Sequence, residues 1–294
     1  MNNCKKLGLM ACLLAVTGLA AGGCAYAAEN NSIPAVKAPE PPAFEMVYGR
    51  AVGKVIVGID LNHEVLYTIL QLTDYAEKLR NGELKPIAAA VLNDLKQYKK
   101  HPAVIELEAG GRLNWANRFS FGYVTHFPQH FTSLPEGKRI YEYSDDFLER
   151  VLHGMPKDEK IKYLDAYWEK VKDFYKTAEY EEFFKRNSAL YKSDVDSVYA
   201  HLPRFDFAKL HEDYHGNHDV GNFYLVPSQL NLPPGGSYGG PMSRSVFNYM
   251  GHGFDNSETI KFLILHEFGH SFCNPVVEKY LAEVGKYASL MKGL

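Results

Sequence analysis

Residues 257–273 read SETIKFLILHEFGHSFC, and inside them stand His266, Glu267, Phe268, Gly269 and His270. Histidines four residues apart share one face of an α-helix, so both imidazoles can reach one metal ion. Glu267 comes one residue after the first histidine, at the edge of that face, where a carboxylate can meet a metal-bound water. A zinc ion (Zn2+) held in this way lowers the pKa of its water toward about 7 and polarises a substrate carbonyl. The carboxylate takes the water's proton and passes it to the leaving nitrogen. The pattern therefore predicts His266 and His270 as metal ligands and Glu267 as catalytic base. Residues 262–265, Phe268 and Gly269 carry no charge. A helix apolar nearly all round belongs in the middle of a domain, and ionisable groups buried there require a partner.

The motif occurs twice. The other copy is His211, Glu212, Asp213, Tyr214 and His215. Asp213 within it and Gly216-Asn217 after it suggest a solvated helix end, so His211 and His215 are expected at the surface. His218 offers a surface metal site with them as an alternative.

A catalytic zinc site takes three protein ligands plus water. A third histidine six residues beyond His270 is missing, because that position is Val276. Ser257 is expected to cap the motif helix, with Glu258 suiting its positive end. That helix should end near Phe272, because Pro275 disfavours helical geometry at Asn274, and a last helix should fill residues 276–291. A sharp fold-back at Asn274-Pro275 would bring Glu278 or Glu283 level with the metal. They are five residues apart, so at most one can serve. Tyr249 and His252, with Tyr238 behind them, are candidate donors to a developing oxyanion. Cys273 reads as a small buried residue rather than a ligand.

The chain around this site has 294 residues, 23% charged and 46% hydrophobic, with a formal net charge of -3. Such an apolar content excludes general disorder, and the absence of a basic excess argues against a nucleic-acid partner. Four cysteines in this length exclude a disulfide scaffold. Residues 1–27 read as a signal peptide: Lys5 and Lys6, an apolar run of about 15 residues, too short to span a bilayer, then Ala25-Tyr26-Ala27 for cleavage. The expected location is the periplasm or the cell exterior. Cys24, after Ala21-Gly22-Gly23, offers a lipid anchor and a membrane-attached lipoprotein as the alternative. Cleavage would move the net charge to about -5 and leave Cys273 alone, and no membrane span is expected in the mature chain. Residues 28–45 form a Pro-rich linker, and residues 46–294 the domain.

Within that domain, residues 52–59 read as a strand and 62–79 as a helix capped by Asn62 and stopped by Asn81-Gly82. Residues 87–98 are a second helix, with Pro86 in its first turn. Residues 145–199 are mostly helical. Their aromatics (Tyr163, Tyr167, Trp168, Phe174, Tyr175, Tyr180, Phe183 and Phe184) read as a core stripe. Residues 223–226 and 245–249 are short strands, the first a candidate edge strand for an extended peptide. Residues 233–241 read as a Gly/Pro loop.

The stretches HEFGHSFCNPVVEKY (266–280), VIVGIDLNHEVLYTILQLTDY (55–75) and KKHPAV (99–104) resemble a family of exported bacterial proteins catalogued only as a domain of unknown function, with a zincin-type metallopeptidase motif. The likeness covers most of residues 46–294. It implies His266 and His270 as ligands, Glu267 as base, and relatives that run on into a further helix whose glutamate, near an arginine, is a third ligand. This chain stops at Leu294, 24 residues after His270, which reads as a truncation. The expected fold is α+β, a zincin-like domain, helix-rich with a small mixed or antiparallel sheet beside the HExxH helix. The expected activity is zinc-dependent hydrolysis of a peptide or protein substrate. Two rivals are an inactive secreted binding domain that keeps the motif, and a metal-dependent amidase acting on cell-wall material.

Overall fold

Gly53 turns the first strand back on itself. Its φ of +58° suits a residue without a Cβ at a two-residue turn, so the single strand expected over 52–59 is the second arm of a hairpin. Strand β1 (Val47–Val52) pairs antiparallel with β2 (Val55–Ile59). Three further strands follow late in the chain: β3 (Phe223–Pro227), β4 (Tyr238–Met242) and β5 (Ser245–Met250). β2 and β3 are parallel, as are β3 and β5, while β4 runs antiparallel to β5. The order β1-β2-β3-β5-β4 makes a mixed sheet of a helix-rich α+β domain. The computed structural model describes residues 44–80, 84–108, 126–152, 154–203, 205–215, 221–232 and 236–286, all in the second of two compact units, Pro41–Leu294; for residues 208, 212, 274–279 and 281–286 it describes the backbone alone. The expected signal peptide, Cys24 and the linker up to residue 43 lie outside these residues. Among the described residues no helix is long and apolar enough to cross a membrane.

The connection from β2 to β3 carries helices α1 (Leu61–Gln71), α2 (Asp74–Leu79), α3 (Pro86–Asp94), α4 (Pro102–Glu108), α5 (Asp145–Val151), α6 (Lys157–Thr177), α7 (Tyr180–Arg186), α8 (Ser188–His201) and α9 (Phe207–His215). The helix expected over 62–79 is split into α1 and α2. Asp60, not Asn62, caps α1 by accepting the His63 N–H. Thr73 interrupts it: its hydroxyl donates to the Leu70 carbonyl at 2.6 Å and accepts the Ala76 N–H, starting a new helix. Asn81-Gly82 lies outside the described residues. α3 begins on Pro86 as expected but stops at Asp94, and residues 96–100 continue as a 3-10 helix.

Helix α1 is buried from Asn62 to Gln71, so its polar side chains need partners inside the protein. Asn62 donates to the Thr132 carbonyl at 3.0 Å and accepts the Leu134 N–H at 2.9 Å. His63 meets Asn231 at 3.0 Å, and Gln71 donates to the Leu230 carbonyl at 2.9 Å. The expected aromatic stripe is core: Tyr167, Trp168, Phe174, Tyr175, Tyr180, Phe183 and Phe184 are buried, with Tyr163 packed against them. A smaller cluster, Tyr224, Val226, Phe247 and Tyr249, packs with Phe44 and Met46.

The last of the described helices, α10, runs unbroken over Ser257–Lys286. The expected break at Asn274-Pro275 is absent, and 276–286 is its continuation; 287–291 lie outside the described residues. Proline forfeits one helical hydrogen bond and crowds the preceding turn, yet an interior proline is compatible with a helix that continues. The cap is Asn256, whose side chain accepts the Thr259 N–H, rather than Ser257.

Candidate active site

Three contacts set where α10 starts and how it lies. Lys85 donates to the Gly251 carbonyl, and Ser197 donates to the Phe254 carbonyl at 2.9 Å, fixing the loop before the helix. Asn248 of β5 donates to the Leu263 carbonyl at 3.2 Å. Ile260, Leu263, Ile264, Phe268 and Phe272 are buried. The helix is not buried all round, however: Phe262 is 51% and Leu265 37% exposed, so one side of the motif faces solvent.

On that side His266 and His270 converge. Their Nε2 atoms are 3.2 Å apart and their ring planes cross at 83°. Two zinc–nitrogen bonds of about 2.05 Å at a tetrahedral angle would set two nitrogens about 3.3 Å apart, so the pair fits a shared metal. Phe262 stacks on His266 at 5.5 Å. Burial and the neighbouring His270 hold the His266 imidazole below its ordinary pKa, which favours the neutral form that binds metals. Glu267 is 8% exposed. Burial pushes its carboxyl up to about 7, against the opposing pull of the Gly239 N–H that donates to it. Among the described residues, no third histidine, cysteine, aspartate or glutamate completes a metal-holding cluster.

The unbroken helix changes the search for that ligand. At 1.5 Å per residue, Glu278 and Glu283 lie about 12 and 20 Å beyond His270 along the axis. The fold-back that was to bring either one level with the metal is not present. Cys273 sits within the helix, partly exposed, not on a turn.

The expected oxyanion donors are elsewhere. Tyr249 is fully buried and donates to Asp60 at 2.7 Å while accepting from Gln129 at 2.9 Å. Alternate strand residues face opposite sides, so Asn248 meets α10 and Tyr249 does not. His252 is exposed in the loop ahead of α10, about 13 Å or more along the axis from His266. Tyr238 lies close enough for Glu267 to raise its pKa further, but its hydroxyl donates to the Leu232 carbonyl.

In the first motif copy His211 is not at the surface as expected, and His215 is half-buried. His211 on α9 is 3% exposed, and burial above all lowers its pKa to about 4. Tyr214 and Leu210 take the solvent face of α9 instead, at 67% and 41% exposure. Phe272 stacks on His211 at 5.2 Å and on His215 at 5.0 Å. The rings of His211 and His215 are 11° from parallel and 5.7 Å apart, so they lie side by side where His266 and His270 cross. His218 lies outside the described residues.

The expected peptide-holding strand, β3, is central in the sheet. The edge beside α10 is β4, part of the segment that read as a Gly/Pro loop. Pro241 was the available signal, since proline within a sheet is confined mainly to edges.

Fold and site define a helix-rich α+β domain with an HExxH pair on its long last helix, beside a sheet edge. The chain belongs, over residues 55–294, to the family described as a domain of unknown function, DUF4932. No curated protein and no solved structure matches it.

Proposed function

We propose that this chain is a zinc-dependent peptidase that cuts a peptide or protein substrate outside the cytoplasm. The observation that carries the reading is the 3.2 Å approach of the two Nε2 atoms beside the buried Glu267 carboxyl. His266 and His270 would hold the ion. Bound zinc supplies a water of lowered pKa and a polarised carbonyl. With the ion in place Glu267, buried beside the pair, would be the group that takes up a proton and returns it to the leaving nitrogen. The outer edge of β4 is where an extended peptide can add as a further strand. Residues 1–27 support export, with the mature chain released or lipid-anchored through Cys24.

A second reading, a binding domain without turnover, is favoured by the same 3.2 Å contact, which is also the length of an imidazole–imidazole hydrogen bond. Elemental analysis with a peptidase assay separates the two. The wild-type chain should carry about one zinc, and His266→Ala should lose it. Glu267→Gln should keep the zinc and lose hydrolysis by about 100-fold or more. A wild-type chain without zinc would sink the peptidase reading. Cleavage of a cell-wall cross-link in place of a peptide substrate would redirect the reading to an amidase.

A further inference from the structure

Strand β4 is pressed between helix α10 and the His126 side chain. A Cβ built on Gly239 would stand 2.5 Å from the carbonyl oxygen of Glu267 and 2.8 Å from its Cβ. The obstacle includes helix backbone, which cannot rotate away as a side chain tip can. On the other face, a Cβ on Gly240 would collide with the His126 imidazole, which Gln129 holds through Nδ1 at 3.1 Å. Successive strand residues face opposite sides, so of the two glycines Gly239 is the one that meets α10. Pro241 has no N–H for the ladder and pairs with Val246. Gly239, two residues earlier, shares its parity, and its N–H points outward to the Glu267 carboxylate.

We propose that Gly239 is a positioning residue: it sets the gap between the edge strand and the helix that carries His266, Glu267 and His270. It thereby sets where a peptide laid along β4 meets the carboxylate. This rests on the peptidase reading. Both imidazoles and the carboxylate ride on one helix and move together, while the strand does not move with them. A methyl group at position 239 would lever the helix off the strand, leave the histidine pair intact and misplace the peptide bond. A misplacement of about 1 Å can cost about 100-fold in rate.

The test compares wild type, Gly239→Ala and Gly58→Ala by zinc content, Tm, kcat, KM and crystal structure. Gly58 is the control for lost stability alone. It lies in β2, and its Cβ would meet the Met46 Cβ at 2.6 Å. All three proteins should bind equal zinc. Gly239→Ala should lose about 10- to 100-fold in kcat with KM within about threefold. Gly58→Ala should lower Tm yet turn over within about twofold of wild type. The crystal structures should show α10 displaced from β4 in Gly239→Ala and in place in Gly58→Ala. Wild-type turnover by Gly239→Ala, or equal losses in both variants, overturns the inference. So does an undisplaced α10 in Gly239→Ala, even if the wild-type chain cleaves nothing. Absence of cleavage by a zinc-loaded wild type counts against the peptidase reading instead, and the helix position still decides the role of Gly239.

Discussion

Glu64 is fully buried on α1, and neither carboxyl oxygen makes a well-aligned hydrogen bond. It faces the hydroxyls of Ser228 and Tyr191, with the charges of Asp194 and Asp60 beyond. Burial, more than those charges, pushes its pKa from 4.5 up to about 8. Asp194, also raised by burial, titrates at about 6 against the help of Gln229 and Lys85. In the unfolded chain both acids ionise near their ordinary values, so the folded state holds protons that the unfolded state releases. Their contribution to stability is fully present below about pH 4 and is lost as pH rises through about 8. Buried, neutral His63, His130 and His211 act in the opposite sense as pH rises through about 6.5, so the acid is read from the difference in Tm between wild type and Glu64→Gln from about pH 5 to about pH 8. Glu64→Gln, which keeps the shape and removes the charge, should gain Tm on the wild type as pH rises. A constant difference would mean that Glu64 ionises at its ordinary pH within the folded protein.

Helix α10 shows how much a local pattern reveals and where it stops. His266, Glu267 and His270 were legible because a spacing of four on a 3.6-residue helix fixes a shared face whatever lies around it. The rest of the site depends on contacts distant in sequence. Whether α10 breaks at Pro275, which face Tyr249 takes, and whether PPGGSYGGP is loop or strand are decided by tertiary neighbours. His211 read as exposed because Asp213 and Gly216 flank it, yet its burial comes from Phe223 and Phe272, 12 and 61 residues away. The strands over 223–226 and 245–249, the helical middle and its aromatic core were legible from periodicity, because those elements bury one pattern of side chains consistently. The proline makes a direct prediction. Pro275→Ala should restore the missing helical hydrogen bond and stabilise the domain by about 1–3 kcal/mol, seen as a higher Tm. A break at that point would instead leave Tm unchanged or lower it.

Across the whole molecule, the two faces of the sheet have different contents. One carries α10 with the histidine pair. The other carries the chain of contacts His126–Gln129–Tyr249–Asp60, which ties the segment after residue 125 to β5 and to the cap of α1. Tyr249→Phe should cost about 1–3 kcal/mol, since Asp60 and Gln129 lose a buried partner. On the peptidase reading it should change neither zinc content nor hydrolysis. A loss of hydrolysis at full zinc content would return Tyr249 to the reaction. The path of the chain adds a last point. β3 and β5 are neighbours in the sheet, but the chain between them, residues 228–244, goes out to build β4 before returning. That detour is a single excursion joined at both ends to strands it does not interrupt. Such a segment can change in length or sequence without breaking either neighbouring strand, so on the peptidase reading proposed above relatives can differ in the peptide they hold while keeping the same histidine pair.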